Sequence, residues 1–341
     1  MQAHVVLFMY QPSVSGPVKL KKPHPTPICR ADAAGLAAAG AVLRGGGLVA
    51  FPTETVYGLG ADATSGAAVA GIYAAKGRPS FNPLIAHVES LAAARCQGEF
   101  SPAALALSQA FWPGPLTLVV PCIGTVCLLA RAGLDSVGLR VPGSSVARAL
   151  IAAFGRPLAG PSANLSGHVS PVSAAHVLAD LSGRIDMILD GGPCAIGVES
   201  TIVACLAGGP RLLRPGGVPV EAIEAVLGAR IAVLQNGPVI APGQMASHYA
   251  PQAKLRLSAT SVEPGEAVLD FAGRLLAQAL PDAPVLDLSP GGDLGEAAAN
   301  LFGHLRRLDQ LGAHKIAVAP VPQYGLGAAI NDRLARAAAP R

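Results

Sequence analysis

Between Arg30 and Lys254 the chain has a single lysine, Lys76, and it opens the segment Lys76-Gly77-Arg78-Pro79-Ser80-Phe81-Asn82-Pro83-Leu84. The other five lysines stand at 19, 21, 22, 254 and 315, and positive charge elsewhere comes mostly from arginine. Lysine is a compact point charge and arginine a planar fork. Both cations, a hydroxyl and an amide within Lys76–Asn82 suit a polyphosphate. The same placement also suits a helix C-terminus, where cations face the last carbonyls. Spacing alone does not separate the two readings.

Four more segments carry groups able to do chemistry. Phe51-Pro52-Thr53-Glu54-Thr55-Val56-Tyr57-Gly58-Leu59-Gly60 puts hydroxyls and a carboxylate after a short apolar strand, where α/β proteins hold ligands. Gly160-Pro161-Ser162-Ala163-Asn164-Leu165-Ser166-Gly167 is small and rich in donors, so backbone N–H groups can approach an anion. Glu199-Ser200-Thr201-Ile202 and Arg211-Leu212-Leu213-Arg214-Pro215-Gly216 follow. Taken singly, each is more often an ordinary turn or strand end. Familiar nucleotide and hydrolase signatures are missing: no GxxxxGK[ST], no GxGxxG after a strand, no GxSxG and no HExxH.

The surrounding pattern alternates helix and strand from about Cys29 to Leu234. Helices are expected over 33–44, 67–76, 103–111, 145–154 and 174–180. Strands are expected over 48–51, 84–88, 116–120, 137–141, 187–189 and 200–204. This alternation argues for an α/β domain with a mixed, twisted sheet. Residues 235–252 are rich in Pro and Gly and carry His248 and Tyr249. A second α/β unit follows, with strands at 268–271, 285–288 and 316–319. Its helices are expected at 296–311, where apolar residues recur at helical spacing, and at 328–338.

Bulk composition narrows the function. With 341 residues, two domains are expected. The net charge of +4 comes from Lys19, Lys21, Lys22 and Arg30; beyond Arg30 the chain has 21 basic and 21 acidic residues. A neutral body argues against a protein that lives on phosphate backbones. The six cysteines form no CxxC pair, so a zinc site is not indicated, and free thiols in a reducing compartment are expected. No apolar run is long enough to span a membrane, and the N-terminal run 5–10 lacks the preceding charge of a signal peptide. A cytoplasmic location is expected.

In order, FPTETVYGLG, KGRPSFNPL, PGPLTLVV, VGLRVP, GPSANLSG, ESTIV and LLRPG resemble the YrdC-like family. The segment APGQMASHYAP with a small α/β unit after it resembles that family's long form, the threonylcarbamoyl-AMP synthases. The resemblance covers about residues 29–341. It implies a YrdC-like twisted mixed sheet with a central cleft, plus a smaller Rossmann-like α/β C-terminal domain. The implied organisation is a flexible extension over 1–28, a catalytic domain over 29–235, a linker or lid over 236–252 and a second domain over 253–341.

The implied activity is synthesis of L-threonylcarbamoyl-AMP from L-threonine, bicarbonate or CO₂, and ATP. Pyrophosphate leaves, and a tRNA threonylcarbamoyl transferase complex uses the product. Carried over residue by residue, Thr55, His87, Arg140, Gly160 and Ser200 would hold threonine. Lys76, Arg78, Asn82, Ser136, Ser162, Ser170, Arg214 and Tyr249 would hold ATP. Mg²⁺ would come with ATP, and the resemblance implies no protein metal site. Where the family commonly has a basic stretch before HYAP, this chain has Met245-Ala246-Ser247. The ring of His87 serves threonine or the core equally well on sequence grounds. The rival functions are a YrdC-like RNA-binding module, which the neutral body disfavours, and a carbamoyl-adenylate-forming protein, whose CxxC pairs are missing.

Overall fold

The computed structural model describes residues 25–233, 240–243 and 247–340. Most of the expected extension, and Met245 and Ala246 of the linker, lie outside the described residues. Thr26 is buried and donates to the Ile185 carbonyl, so the chain joins the fold just before the strand Ile28–Arg30.

Helix starts follow a simple local rule. The helices Gly66–Lys76, Pro102–Phe111, Ser145–Phe154 and Ala174–Leu181 each begin after a serine whose side chain accepts from an N–H of the first turn. Asp32 does the same for Ala33–Arg44. Such caps satisfy donors that have no partner inside the helix. The helix Gly66–Lys76 stops at Gly77, whose φ of 60° is a left-handed cap that glycine adopts without a Cβ clash.

Eleven described strands form one mixed sheet. From one edge the order is Ile28–Arg30, Met187–Asp190, Val49–Pro52, Tyr57–Asp62 and Leu158–Ala159. It continues through Ile85–His87, Ser136–Arg140, Leu116–Pro121, Thr201–Leu206, Gly209–Arg214 and Ala232–Val233. Val49–Pro52 and Tyr57–Asp62 pair antiparallel with Pro52 opposite Tyr57, which leaves Thr53–Val56 as the turn. The segment read as one cluster after a strand is therefore a hairpin. Ile85–His87 runs parallel to Ser136–Arg140 and sets His87 opposite Arg140. Leu116–Pro121 runs parallel to Thr201–Leu206 with Leu116 opposite Thr201. These registers bring four distant segments to one end of the sheet.

The second unit is a four-stranded parallel sheet, ordered Lys254–Arg256, Lys315–Val318, Glu266–Asp270 and Val285–Asp287. The helices Leu294–Gln310 and Gly327–Ala338 accompany it. The small Rossmann-like domain expected from the sequence is present. It sits directly on the first unit. A Cβ at Gly197 would come 2.3 Å from the Ala298 carbonyl oxygen, so only glycine allows that approach. Arg306 pairs with Asp180 across the same boundary at 2.7 Å.

Candidate active site

The hairpin turn Thr53–Val56 opens the cleft. Thr53 Oγ1 donates to the Val56 carbonyl at 2.6 Å and lies 2.8 Å from Thr55 Oγ1, which fixes the Thr55 hydroxyl. Arg140, ending the strand Ser136–Arg140, reaches this turn. Its Nη1 donates to Thr55 Oγ1 at 3.1 Å, Nη2 to Glu54 Oε1 at 2.6 Å, and Nε to the Gly114 carbonyl at 3.1 Å. Burial pushes the Glu54 carboxyl up, but the Arg140 charge and the hydrogen bonds outweigh it and hold it at about 2. Five N–H groups in a planar fork leave Arg140 one spare donor on each terminal nitrogen for a carboxylate.

His87 lies against this pair. It is 2% exposed, and burial, then the Arg140 charge, push its imidazole down to about 3. The ring is neutral at working pH, and its Nδ1 has no hydrogen-bond partner among the described residues. A Cβ at residue 160 would stand 2.8 Å from that nitrogen, which explains Gly160. The Gly160 N–H donates to the Ile85 carbonyl and sets the loop that follows.

Opposite stand Ser200 and Arg214. The Ser200 hydroxyl lies 2.8 Å from Thr117 Oγ1. Arg214 Nη2 donates to the Ser200 carbonyl at 2.8 Å and to its hydroxyl at 3.2 Å. Arg214 Nη1 donates to the Pro242 carbonyl at 3.3 Å, which ties the linker to the cleft. A Cβ at Gly216 would meet the Glu199 carbonyl oxygen at 2.3 Å, so the LLRPG turn can press on this segment only with glycine there. Arg78 completes the cation set: its Nη2 donates to the Pro83 carbonyl at 3.0 Å, and burial brings it down to about 10.

One cleft gathers Thr55, Arg78, His87, Arg140, Gly160 and Ser162 with Ser200, Arg214 and Tyr249. Three buried arginines on one cavity favour anions. Tyr249 is fully buried, its φ is 62°, and its hydroxyl has no partner among the described residues. His248 stacks edge-on at 4.0 Å, and burial pushes it down to about 3.

The other residues expected at the site do not line this cleft. Lys76 is fully buried behind it. Its Nζ donates to the carbonyls of Ser162 and Asn164, each at 2.5 Å, and to Asn164 Oδ1 at 3.2 Å. Burial, then the Arg78 charge, push its pKa well below the usual lysine value. Lys76 thus holds the GPSANLSG loop, whose Ser162 lines the cleft. Asn82 is buried and gives its carbonyl to Arg78 Nε and the Tyr73 hydroxyl. Ser136 begins its strand opposite Pro121. Ser170 is buried and donates to Glu199 Oε1 at 2.6 Å.

Sequence reasoning gave no role to Glu54, Thr117, Glu199 or Arg333. Glu54 and Glu199 stand inside quoted motifs, and each is the sole acid there. Arg333 lies in no motif. Its signal is a charge on the apolar stripe Ala329, Ile330, Leu334 and Ala337 of the last helix. Among the described residues no group of His, Cys, Asp or Glu is placed to hold a metal, and no helix is long and apolar enough to cross a membrane.

Residues 41–216 match the Sua5/YciO/YrdC family, described as telomere recombination. Residues 218–339 match the C-terminal domain of threonylcarbamoyl-AMP synthase. That second match starts ahead of the linker, at a helix, Val220–Leu227, that packs on Pro102–Phe111 of the first unit. The chain is 42% identical over 323 residues to threonylcarbamoyl-AMP synthase of Bacillus subtilis, covering 90% of this chain and 93% of the relative. It is 42% identical over 314 residues to the synthase of Pyrococcus abyssi, covering 86% and 91%. Its fold matches the crystal structure of P. abyssi Sua5 complexed with L-threonine with a TM-score of 0.83 and 39% identity, over 92% of this chain and 98% of that one. With both of its domains matched and its relatives spanning nearly its whole length, this chain belongs to the threonylcarbamoyl-AMP synthase family of enzymes.

Proposed function

We propose that the cleft makes L-threonylcarbamoyl-AMP from L-threonine, bicarbonate or CO₂, and ATP. The observation that carries this reading is the convergence of Arg140, Arg78 and Arg214 on one cavity beside the hydroxyls of Thr55 and Ser200. Arg140 has a donor left on each terminal nitrogen and suits the threonine carboxylate. Thr55, Gly160, His87 and Ser200 surround the rest of the amino acid. Arg78, Ser162, Arg214 and Tyr249 suit the nucleotide. Lys76, Asn82, Ser136 and Ser170 belong to the same proposal as nucleotide-site residues that do not line the cleft, with Lys76 acting through the Ser162 loop it holds.

The chemistry needs no nucleophilic side chain. The threonine amine attacks CO₂, a C–N bond forms, and the amine loses a proton to give a carbamate. A carbamate oxygen attacks the α-phosphorus, and the bond to the bridging oxygen of pyrophosphate breaks. The protein's part is to position both partners and neutralise charge. Neutral His87 can accept at Nδ1 without adding charge. Mg²⁺ enters as part of the ATP substrate. The cleft's carboxylates fit it poorly as a resident metal, because Glu54 is paired with Arg140 and Glu199 with Arg333. Tyr249 and His248 form the cover that keeps water from the mixed anhydride. The product would pass to a tRNA threonylcarbamoyl transferase complex in the cytoplasm.

Pyrophosphate release, measured with each substrate omitted in turn, tests the reading. Release should need ATP, threonine and bicarbonate together. Undiminished release without threonine contradicts it and favours a carbamoyl-adenylate reaction.

A further inference from the structure

Arg333 is the largest of the fully buried side chains, and it comes from the second domain's last helix, Gly327–Ala338. Its Nε donates to Glu199 Oε2 at 2.7 Å and its Nη2 to the Pro215 carbonyl at 3.0 Å. Its Nη1 meets Asp332 at 2.5 Å, and its guanidinium lies 5.0 Å from the Tyr249 ring centroid. One side chain therefore touches the residue before Ser200, the residue after Arg214, and the linker tyrosine.

We propose that Arg333 is a positioning residue of the cleft: by neutralising Glu199 it leaves Arg214 free to face an anionic nucleotide. The proposal rests on the reading that the cleft takes ATP. Glu199 lines the cleft and is only 6% exposed. Its Oε1 is held by Ser170 and its Oε2 by Arg333. Without Arg333, a buried carboxylate would stand beside the phosphate path. It would repel phosphate and draw Arg214, the other cation acting on it, away from Ser200. The second domain then does more than pack on the first: it supplies the countercharge that makes one wall of the cleft fit for an anion.

The groups facing Glu199 are Arg333 from the last helix, Arg214 from its strand, Ser170 from its loop, and His248 and Tyr249 from the linker, while Asp332 pairs with Arg333. Burial pushes the Glu199 carboxyl up; Arg333 first, then Arg214, hold it below the usual value. Removing Arg333 removes the larger opposing charge, so burial then raises the carboxyl and it protonates at higher pH.

The test uses the full chain, with ATP and threonine varied separately, ATP affinity measured by equilibrium binding, and thermal unfolding recorded for each variant. Arg333→Met should weaken ATP binding and raise its KM by roughly ten- to a hundredfold. The KM for threonine should barely move. As pH falls, Arg333→Met should regain ATP affinity while the wild type does not, because a protonated Glu199 no longer repels phosphate. Adding Glu199→Gln to Arg333→Met should recover most of the lost ATP affinity. If Arg333→Met fails to fold, Arg333→Lys, which keeps the charge, and the double variant carry the test. Either one with equal losses for ATP and threonine overturns the proposal. So does an Arg333→Met protein with wild-type ATP affinity. A wild-type protein that binds ATP but forms no threonylcarbamoyl-AMP defeats the functional reading instead, and leaves the ATP-binding comparison to decide the role of Arg333.

Discussion

Arg140 and Glu54 meet at 2.6 Å with both side chains almost out of solvent, and the pair joins the hairpin turn to the end of a strand 86 residues away. The acid side of the stability profile follows from it. The Glu54 carboxyl is held at about 2 in the folded chain against 4.5 for the free group. A depressed carboxyl stabilises fully above about pH 4.5, and that contribution fades as pH falls toward 2. Its size is about 3 kcal/mol. Thermal unfolding from pH 6 down to 2 should show Glu54→Gln with a shallower acid limb than wild type. Identical limbs would contradict the pairing.

Lys76 and Arg78 should separate in their effects, although they sit two residues apart. Lys76→Met leaves the carbonyls of Ser162 and Asn164 without their shared donor. It should lower stability by about 2–4 kcal/mol, read by denaturant unfolding. Arg78→Ala should act mainly on the KM for ATP. A stable Lys76→Met protein whose only defect is in ATP binding would restore the phosphate role that its spacing allows.

The Tyr249 hydroxyl is buried without a partner among the described residues. Tyr249→Phe removes that unpaired group and should leave the melting temperature unchanged or raised, while ATP affinity falls. Tyr249→Ala removes a ring stacked 5.6 Å from Phe302, and should cost about 3–5 kcal/mol. A Tyr249→Phe chain with wild-type ATP kinetics would show that the hydroxyl does not meet the nucleotide.

A site with this many fixed hydroxyls should choose its amino acid sharply. Valine should fall below threonine by roughly 10⁴-fold in kcat/KM, because it leaves buried polar groups unpaired. Serine, which lacks only the methyl, should lose about 10–200-fold. Comparable kcat/KM values for valine and threonine would sink the threonine site.

Much of this was readable in the chain. Ser144 and Asp32 announce their helices, and the apolar stripe from Ala298 to Leu308 announces another, because capping and periodicity are local rules. The motifs named most of the cleft, including Arg140, Gly160 and Arg214. Lys76 was ambiguous because sequence gives spacing and not direction; only the fold shows its ammonium bonded to the carbonyls of Ser162 and Asn164. The strand Tyr57–Asp62 was hidden because its glycines and buried aspartate break the usual alternation. Arg333 shows only as a charge on an apolar stripe; its partner, Glu199, lies 134 residues earlier, and no local rule links a helix stripe to a distant carboxylate.

The central claim is that one cleft joins threonine, a one-carbon unit and the AMP part of ATP. Mass spectrometry of the adenylate formed from carbon-13-labelled bicarbonate tests it most directly. With ATP and threonine present, the account predicts threonylcarbamoyl-AMP carrying one labelled carbon, together with an equal amount of pyrophosphate. Arg140→Ala should abolish the labelled product. An adenylate without the label, or a labelled adenylate formed equally well when threonine is withheld, would contradict the account.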